Sequence, residues 1–356
     1  MRVLVAGGGT AGHIEPALNL ADELVRRDSD TRVIALGTSR GLEVTLVPAR
    51  GYELELISAV PMPRKPNLDL LKLPARLRRA IKDTRAIIEA HDIDVVVGFG
   101  GYVSIPAYLA ARGRTPIVVH EANARAGLAN RVGARIADGV AECVSGSLPG
   151  AQLTGNPLRQ AIATLNRSEM RATARAHFGI DDDAKVVLVF GGSLGAQSLN
   201  RVIGQVVNEN LLDAVVLLHS YGAKNEAPVQ ASSTYVPLPY IDRMDLAYSA
   251  ADFVVCRSGA MTVAELTAVG LPACYVPLPH GNGEQKLNAL PVVDADGGLL
   301  IADDEFTVEF VRDMIAPLIN DDVRLARMSE QSRSIGKPDA AGQLADLVES
   351  VVGGKQ

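Results

Sequence analysis

Residues 256–289 read CRSGAMTVAELTAVGLPACYVPLPHGNGEQKLNA, and the succession of strand, turn, helix, strand, loop and helix is visible in them directly. Residues 252–256 form a short apolar strand that Gly259 ends, and residues 261–269 carry apolar side chains at helical spacing. Gly270 and Pro272 stop that helix. Residues 271–276 read as the next buried strand, which runs into Pro277, Pro279 and the polar turn His280, Gly281, Asn282, Gly283. Glu284 and Gln285 then open another helix. Ligands of a parallel sheet sit beyond the carboxyl ends of its strands, against the first turns of the following helices. Arg257, Ser258, Glu265, Glu284 and Gln285 therefore fall at or near one such edge.

A carboxylate one turn into such a helix suits a ribose, because it accepts hydrogen bonds from two vicinal hydroxyls. Glu265 is the candidate. The competing reading leaves Glu265 as a partner of the helix dipole and Gln285 as a solvated side chain.

The 356-residue length implies two domains of ordinary size, each with its own core. Hydrophobic residues make up 47% and charged residues 21%, a globular balance. No run approaches 18 uninterrupted apolar residues, so no membrane span is expected. The opening MRVLVAGGGTAGH turns to glycine too soon for a signal peptide and reads as a buried strand, consistent with a cytoplasmic protein. Cys143, Cys256 and Cys274 are odd in number and widely spaced, the pattern of core thiols and not of a disulfide framework or zinc site. A net charge of -6 argues against broad nucleic-acid binding.

From the start, residues 3–6 form a strand that enters Gly7, Gly8, Gly9, Thr10, Ala11, Gly12 and a helix. Gly7, Gly9 and Gly12 match G-x-G-x-x-G, yet the second strand, 32–36, ends in Gly37, Thr38 and Ser39 without the acid that a nicotinamide dinucleotide site uses. What survives is a phosphate cradle made from a glycine turn and a helix N-terminus. Further strands at 53–57, 94–98, 116–120 and 139–143 complete an alternating α/β pattern. Asp92 and Asp94 resemble a metal pair but precede their strand, at the edge away from the ligand loops. Gly155, Asn156, Pro157 and Leu158 mark a junction. Strand 186–190 then leads into Gly191, Gly192, Ser193, Leu194, Gly195 and a new helix, repeating the first unit. Strands at 214–218 and 234–236 extend the second sheet. The expected fold is α/β with two Rossmann-like doubly wound domains facing across a cleft, 1–158 and 159–336, and a helix in 337–356 packing back on the first.

Several segments together carry a family resemblance: GGGTAGH, GFGGYVSIP, HEANARAGLANR, TGNPLR, FGGSLGAQSLN, YID with Met244, CRSGAMTVAE and the GNGEQ loop. Over nearly its whole length the chain resembles the bacterial MurG family, GT-B glycosyltransferases that use UDP-N-acetylglucosamine (UDP-GlcNAc) to convert lipid I to lipid II in peptidoglycan synthesis. The resemblance implies that Thr10, Ala11, Gly12 and Asn123 meet the donor sugar, and that Arg159 and Ser193 meet the diphosphate. It further implies that backbone at Ile241 meets uracil, Glu265 the ribose and Gln285 the sugar hydroxyls. Two positions depart from the family pattern: Glu284 stands where many members have Gln, and Leu194 where a polar Gln is frequent.

An inverting transfer needs a base, a stabilised oxocarbenium-like centre and neutralisation of the leaving diphosphate. No metal and no cofactor is expected; Arg159, Ser193 and the helix after Gly195 would take the last task. His13, in the first glycine loop and titrating near neutrality, is the base candidate, with His120 and Glu121 in reserve. The bland reading has His13 only hydrogen-bond the donor or a backbone group. A UDP-sugar 2-epimerase and a non-catalytic nucleotide-sugar-binding protein remain as alternatives. Finally, residues 64–85 set eight cations against Asp69 and Asp83, a local charge of +6. Leu70, Leu73, Leu77 and Ile81 recur there at helical spacing, with Pro74 dividing two short helices. The segment is expected to dock on an anionic membrane surface, at the cytoplasmic face and peripherally, where the lipid I acceptor and cell-wall synthesis and division proteins would be met. The competing reading packs its apolar face on the first domain.

Overall fold

The computed structural model describes residues 1–60, 69–192, 194–212 and 214–354, with backbone only at 69–71. The chain forms two compact units, residues 1–159 with 339–356, and residues 160–338. Arg159 thus belongs with the first unit and residues 337–338 with the second, one to two residues from the boundaries expected.

In the first unit seven parallel strands take the order β3-β2-β1-β4-β5-β6-β7. They are β1 Arg2–Gly7, β2 Arg32–Gly37, β3 Glu53–Leu56, β4 Val95–Gly100, β5 Ile117–Glu121, β6 Gly139–Glu142 and β7 Gln152–Leu153. Helices α1 Ala11–Arg27, α2 Glu43–Ala49, α3 Asp69–Ala90, α4 Ser104–Ala111 and α5 Leu128–Gly133 connect them. The central strands are apolar on both faces: Val3, Val5, Val95 and Val97 join one core, and Leu4, Val96, Ile117 and Val119 the other.

The second unit repeats the plan with six parallel strands in the order β10-β9-β8-β11-β12-β13. They are β8 Lys185–Phe190, β9 Val215–Ser220, β10 Tyr235–Leu238, β11 Phe253–Cys256, β12 Ala273–Tyr275 and β13 Gly298–Leu300. The helices are α6 Gln160–Ala163, α7 Arg167–Phe178, α8 Gln197–Asn208, α9 Met244–Ala250, α10 Ala260–Ala268, α11 Glu284–Asp294, α12 Val308–Phe310, α13 Ala316–Ile319 and α14 Asp322–Ile335. A π-helical turn, Val311–Ile315, joins α12 to α13. Strands β7 and β13 were not expected: two and three residues are too few to show periodicity.

The duplication reaches single side chains. Asp94, just ahead of β4, accepts from the Arg2 amide at 2.7 Å, and Asp252, ahead of β11, accepts from the Val186 amide at 2.8 Å. Each carboxylate closes the open amino end of the neighbouring strand. Asp92 pairs with the Arg2 guanidinium at 3.1 Å. The acids of this pair are thus strand clips at the edge away from the glycine turns.

The last helix, α15 Ala340–Gly353, lies on the first unit, where Leu344, Ala345 and Val348 are fully buried in the core beside Val95 and Val118. Helix α3 runs unbroken through Pro74, not as two short helices. Pro74, its sixth residue, withholds one amide from the helix, and the remaining hydrogen bonds carry α3 past it. Leu73, Leu77 and Ile81 pack against the core that contains Ala80 and Ile88. The expected insertion of these side chains into a membrane interface is therefore corrected: they face protein. Arg64 and Lys65 lie outside the described residues, as do the side chains of Leu70 and Leu71. Among the described cations Lys72, Arg78, Arg79, Lys82 and Arg85 remain exposed. No helix among the described residues is long and apolar enough to cross a membrane.

Candidate functional site: two glycine-turn edges

In a doubly wound sheet the crevice opens where the strand order reverses, between β1 and β4 in the first unit and between β8 and β11 in the second. Both glycine turns follow those strands.

On the first unit, Thr10 is the N-cap of α1, and its hydroxyl lies 3.2 Å from Nδ1 of His13. The loop after β4 is pressed against this turn. Gly101 has φ 83°, and a Cβ there would stand 2.3 Å from the Gly8 carbonyl oxygen. Only glycine fits on both counts. Glu43, which the sequence reading passed over, is buried beneath the turn and accepts from the amides of Gly9 (3.0 Å) and Thr38 (2.8 Å). Burial raises its pKa, the amide donors outweigh this, and the carboxyl is held below its usual value. An acid near the end of β2 does exist, six residues later than a dinucleotide site would have it, and it braces the loops.

His13 is half-exposed but crowded by the surrounding loops. Burial lowers its pKa below the usual histidine value of 6.5, opposed by the negative charge of Glu121 and a hydrogen bond to Gly8. At neutral pH the ring is neutral. The reserve bases fare differently. His120 is fully buried against Phe99, Nε2 donates to the Gly155 carbonyl at 2.8 Å, and burial drives its pKa down to about 4. That is a core histidine without access to a reacting hydroxyl. Glu121 accepts from the amides of Asn123 (2.9 Å) and Gly127 (3.0 Å) and from Nδ2 of Asn130 (3.0 Å). It shapes the loop that presents Asn123, whose Nδ2 adds a longer fourth contact at 3.4 Å, and a carboxylate engaged by four donors is a structural brace. After β7, Asn156 is 1% exposed with both amide atoms unbonded, next to the half-buried Arg159. Its only sequence signal was membership of the Gly155–Leu158 break.

On the second unit, the turn after β8 is as constrained. Gly195 has φ 74°, and a Cβ there would stand 2.1 Å from the Tyr221 carbonyl oxygen. Leu194, at the family departure, is 66% exposed, as a polar residue would be. Ser193 lies outside the described residues. Glu265 faces inward in α10 and accepts from the Tyr248 hydroxyl at 2.6 Å, so it is neither solvated nor merely a dipole partner. Tyr248 had no sequence signal, since α9 and α10 meet only in the fold. Gln285 Oε1 accepts from the Leu278 amide at 2.9 Å, which fixes the side chain and leaves its NH2 group to donate. Ile241 is buried in the loop between β10 and α9. Arg257, read as edge-facing, instead points into its own unit. It donates to the Val276 and Pro277 carbonyls (3.0 and 3.1 Å) and pairs with Asp303 at 2.5 Å, so it holds the loop after β12. Ser258 is fully buried with an unbonded hydroxyl.

Among the described residues one trio offers metal-ligand chemistry, Glu53, Glu55 and His91, on β3 and just beyond α3, remote in sequence from both glycine turns. The cysteines are free, and burial raises the pKa of Cys143 and Cys274 to about 12, so neither is a reactive thiolate.

Two parallel α/β units, each with a glycine turn at its switch point, are the architecture of GT-B glycosyltransferases. Residues 3–142 match the glycosyltransferase family 28 N-terminal domain and residues 186–344 the family's C-terminal domain, and the chain belongs to this family. A UDP-N-acetylglucosamine--N-acetylmuramyl-(pentapeptide) pyrophosphoryl-undecaprenol N-acetylglucosamine transferase of Mycolicibacterium paratuberculosis is 57% identical over 354 residues, 96% of this chain and 87% of that one. The protein of the same name from Mycobacterium tuberculosis is 56% identical over 366 residues, 99% of this chain and 89% of that one. Among solved structures, MurG of Acinetobacter baumannii superposes with a TM-score of 0.80 at 27% identity, covering 98% of this chain and 99% of that one. A UDP-GlcNAc 2-epimerase of Neisseria meningitidis reaches 0.69 at 15% identity over 98% of this chain and 100% of that one, a likeness of fold alone.

Proposed function

We propose that this chain is an inverting, metal-independent hexosyltransferase. It moves N-acetylglucosamine from UDP-GlcNAc to the muramyl 4-hydroxyl of the pyrophosphoryl-undecaprenol acceptor, lipid I, and yields lipid II for peptidoglycan. The observation that carries this reading is identity above one half, along nearly the entire chain, to transferases whose names specify that donor and acceptor.

The residue roles are those the family resemblance implies, and the local chemistry supports them. His13, neutral at pH 7, takes the proton from the acceptor hydroxyl; the Gly8 carbonyl and the Glu121 charge favour the imidazolium that results. Arg159 and Ser193 meet the departing diphosphate, together with the amides opening α8, as charge builds on the leaving oxygen. Glu265, oriented by Tyr248, accepts from the ribose hydroxyls, and Gln285 donates to the sugar. Thr10, Ala11, Gly12 and Asn123 meet the N-acetylglucosamine, and backbone at Ile241 meets uracil. No cofactor takes part. The protein works peripherally at the cytoplasmic face of the cell membrane, held by the exposed cations of α3 on anionic lipid and meeting cell-wall synthesis and division proteins there.

Release of UDP from UDP-GlcNAc, with and without a short-chain lipid I analogue, tests the reading. UDP should appear only with acceptor. Acceptor-independent release would instead favour an epimerase-type reaction, and binding without turnover a sensor.

A further inference from the structure

Three arginines line a cavity of about 630 Å³ in the first unit, and none of the roles above uses it. The loop after β5, helix α5 and the loop after β6 form its walls. Each loop is pinned from within by a buried carboxylate. Glu121 holds the first, as described, and Glu142 accepts from the amides of Gly146 (2.8 Å) and Leu148 (2.9 Å) and the hydroxyl of Ser147 (3.0 Å). Both acids are engaged in shaping the walls, so the backbone that presents Arg125 and Ser147 is set before any ligand arrives. Arg131 and Arg135 are exposed, spaced i and i+4, and line the same cavity. Among the described residues neither has an acidic partner. Two like charges so close along the chain repel, and no ion pair ties down either guanidinium among the described residues. The remaining wall is apolar, at Leu148 and Pro149, and the lining contains no aromatic ring on which a base stacks.

A preformed cavity with guanidinium forks on one side and an aliphatic wall on the other suits a phosphorylated group attached to an apolar chain. Arg125 stands two residues beyond Asn123, the position assigned to the transferred sugar. The acceptor in the relatives' name is a sugar joined through a pyrophosphoryl group to undecaprenol. Resting on the transferase reading above, we propose that this cavity seats the diphosphate of the lipid-linked acceptor. Arg131 and Arg135 grip its oxygens, and Leu148 and Pro149 lie along the first part of the lipid.

The test compares wild type with the double variants Arg131→Ala/Arg135→Ala and Arg131→Lys/Arg135→Lys. The alanine pair should raise KM for a short-chain, water-soluble lipid I analogue at least tenfold, with KM for UDP-GlcNAc and Tm unchanged. The lysine pair should recover only part of the loss, since a point charge restores attraction but not the forked grip. A short alkyl diphosphate without sugar should compete with the acceptor in wild type and lose that inhibition in the alanine pair. An unchanged acceptor KM, or inhibition that survives the substitutions, overturns the assignment. So does a result in which sedimentation with phosphatidylglycerol vesicles falls but soluble-acceptor KM does not, since the cavity would then be a headgroup contact. If wild type fails to turn over the acceptor at all, the transferase reading falls. Calorimetric titration with the alkyl diphosphate still decides the cavity, because binding in wild type that the alanine pair lacks sustains it and equal heats reject it.

Discussion

Glu265 and His13 show how single side chains acquire a role from neighbours distant in sequence. The Tyr248 hydroxyl donates to the Glu265 carboxylate at 2.6 Å and fixes it in a buried position. Glu265→Gln should therefore raise KM for UDP-GlcNAc by tenfold or more while Tm moves little. The amide accepts more weakly and brings a donor toward ribose hydroxyls. An unchanged donor KM would remove Glu265 from the site. For His13 the lowered pKa has a definite sign. The neutral ring persists below pH 6.5, so the acid limb of kcat/KM should lie under the usual histidine value. His13→Asn should abolish that limb and cost about 10²–10⁴ in rate. A limb that survives the substitution assigns the base elsewhere. The residue types were legible in the sequence. The braces Glu43, Tyr248 and Glu142 were not, because each is a partner across elements.

Helix α3 illustrates the element scale. Its apolar repeat and its cations were both plain in the sequence, yet periodicity reports only that a helix has an apolar face, not what covers it. The fold assigns Leu73, Leu77 and Ile81 to the first unit's core and leaves Arg78, Arg79 and Lys82 exposed. The membrane docking proposed for α3 is consequently electrostatic, at about 1 kcal/mol per basic residue, and sensitive to salt. Reversing Arg78, Arg79 and Lys82 to Glu should abolish sedimentation with anionic vesicles at low salt while turnover of a soluble acceptor stays within about twofold. Vesicle binding that persists in this variant removes α3 from the docking face.

At the scale of the whole molecule, buried histidines couple stability to acid. His120 and His219 are both neutral in the cores of their units, and burial holds each pKa at about 4. The unfolded chain binds their protons first as pH falls below about 6.5, so each histidine withdraws stability, about 2 kcal/mol by pH 5. Above pH 6.5 the penalty vanishes. His120→Gln keeps a donor for the Gly155 carbonyl without the titration. Denaturant unfolding at pH 7 and pH 5 should show the acid loss reduced by about 2 kcal/mol in this variant. An identical loss in both proteins would mean that His120 is already protonated in the fold.

Duplication and parallel topology were contained in the sequence alone. Strand, glycine turn and helix recur at Gly7 and Gly191, and apolar runs such as VVLVF allow only strands covered on both faces. The positions of the ligand loops follow from that topology, because parallel strands put all their carboxyl ends on one edge. Tertiary structure decided which polar side chains are tied into the frame. Arg257 and His120 sit at the expected edge in sequence but point inward. Glu265 is buried and held by Tyr248, and Arg131 and Arg135 gain a cavity that no spacing announced. The physical reason is that the local chain sets backbone direction, whereas the destination of a long polar side chain depends on which carbonyls, carboxylates and amides other elements bring within about 3 Å of it.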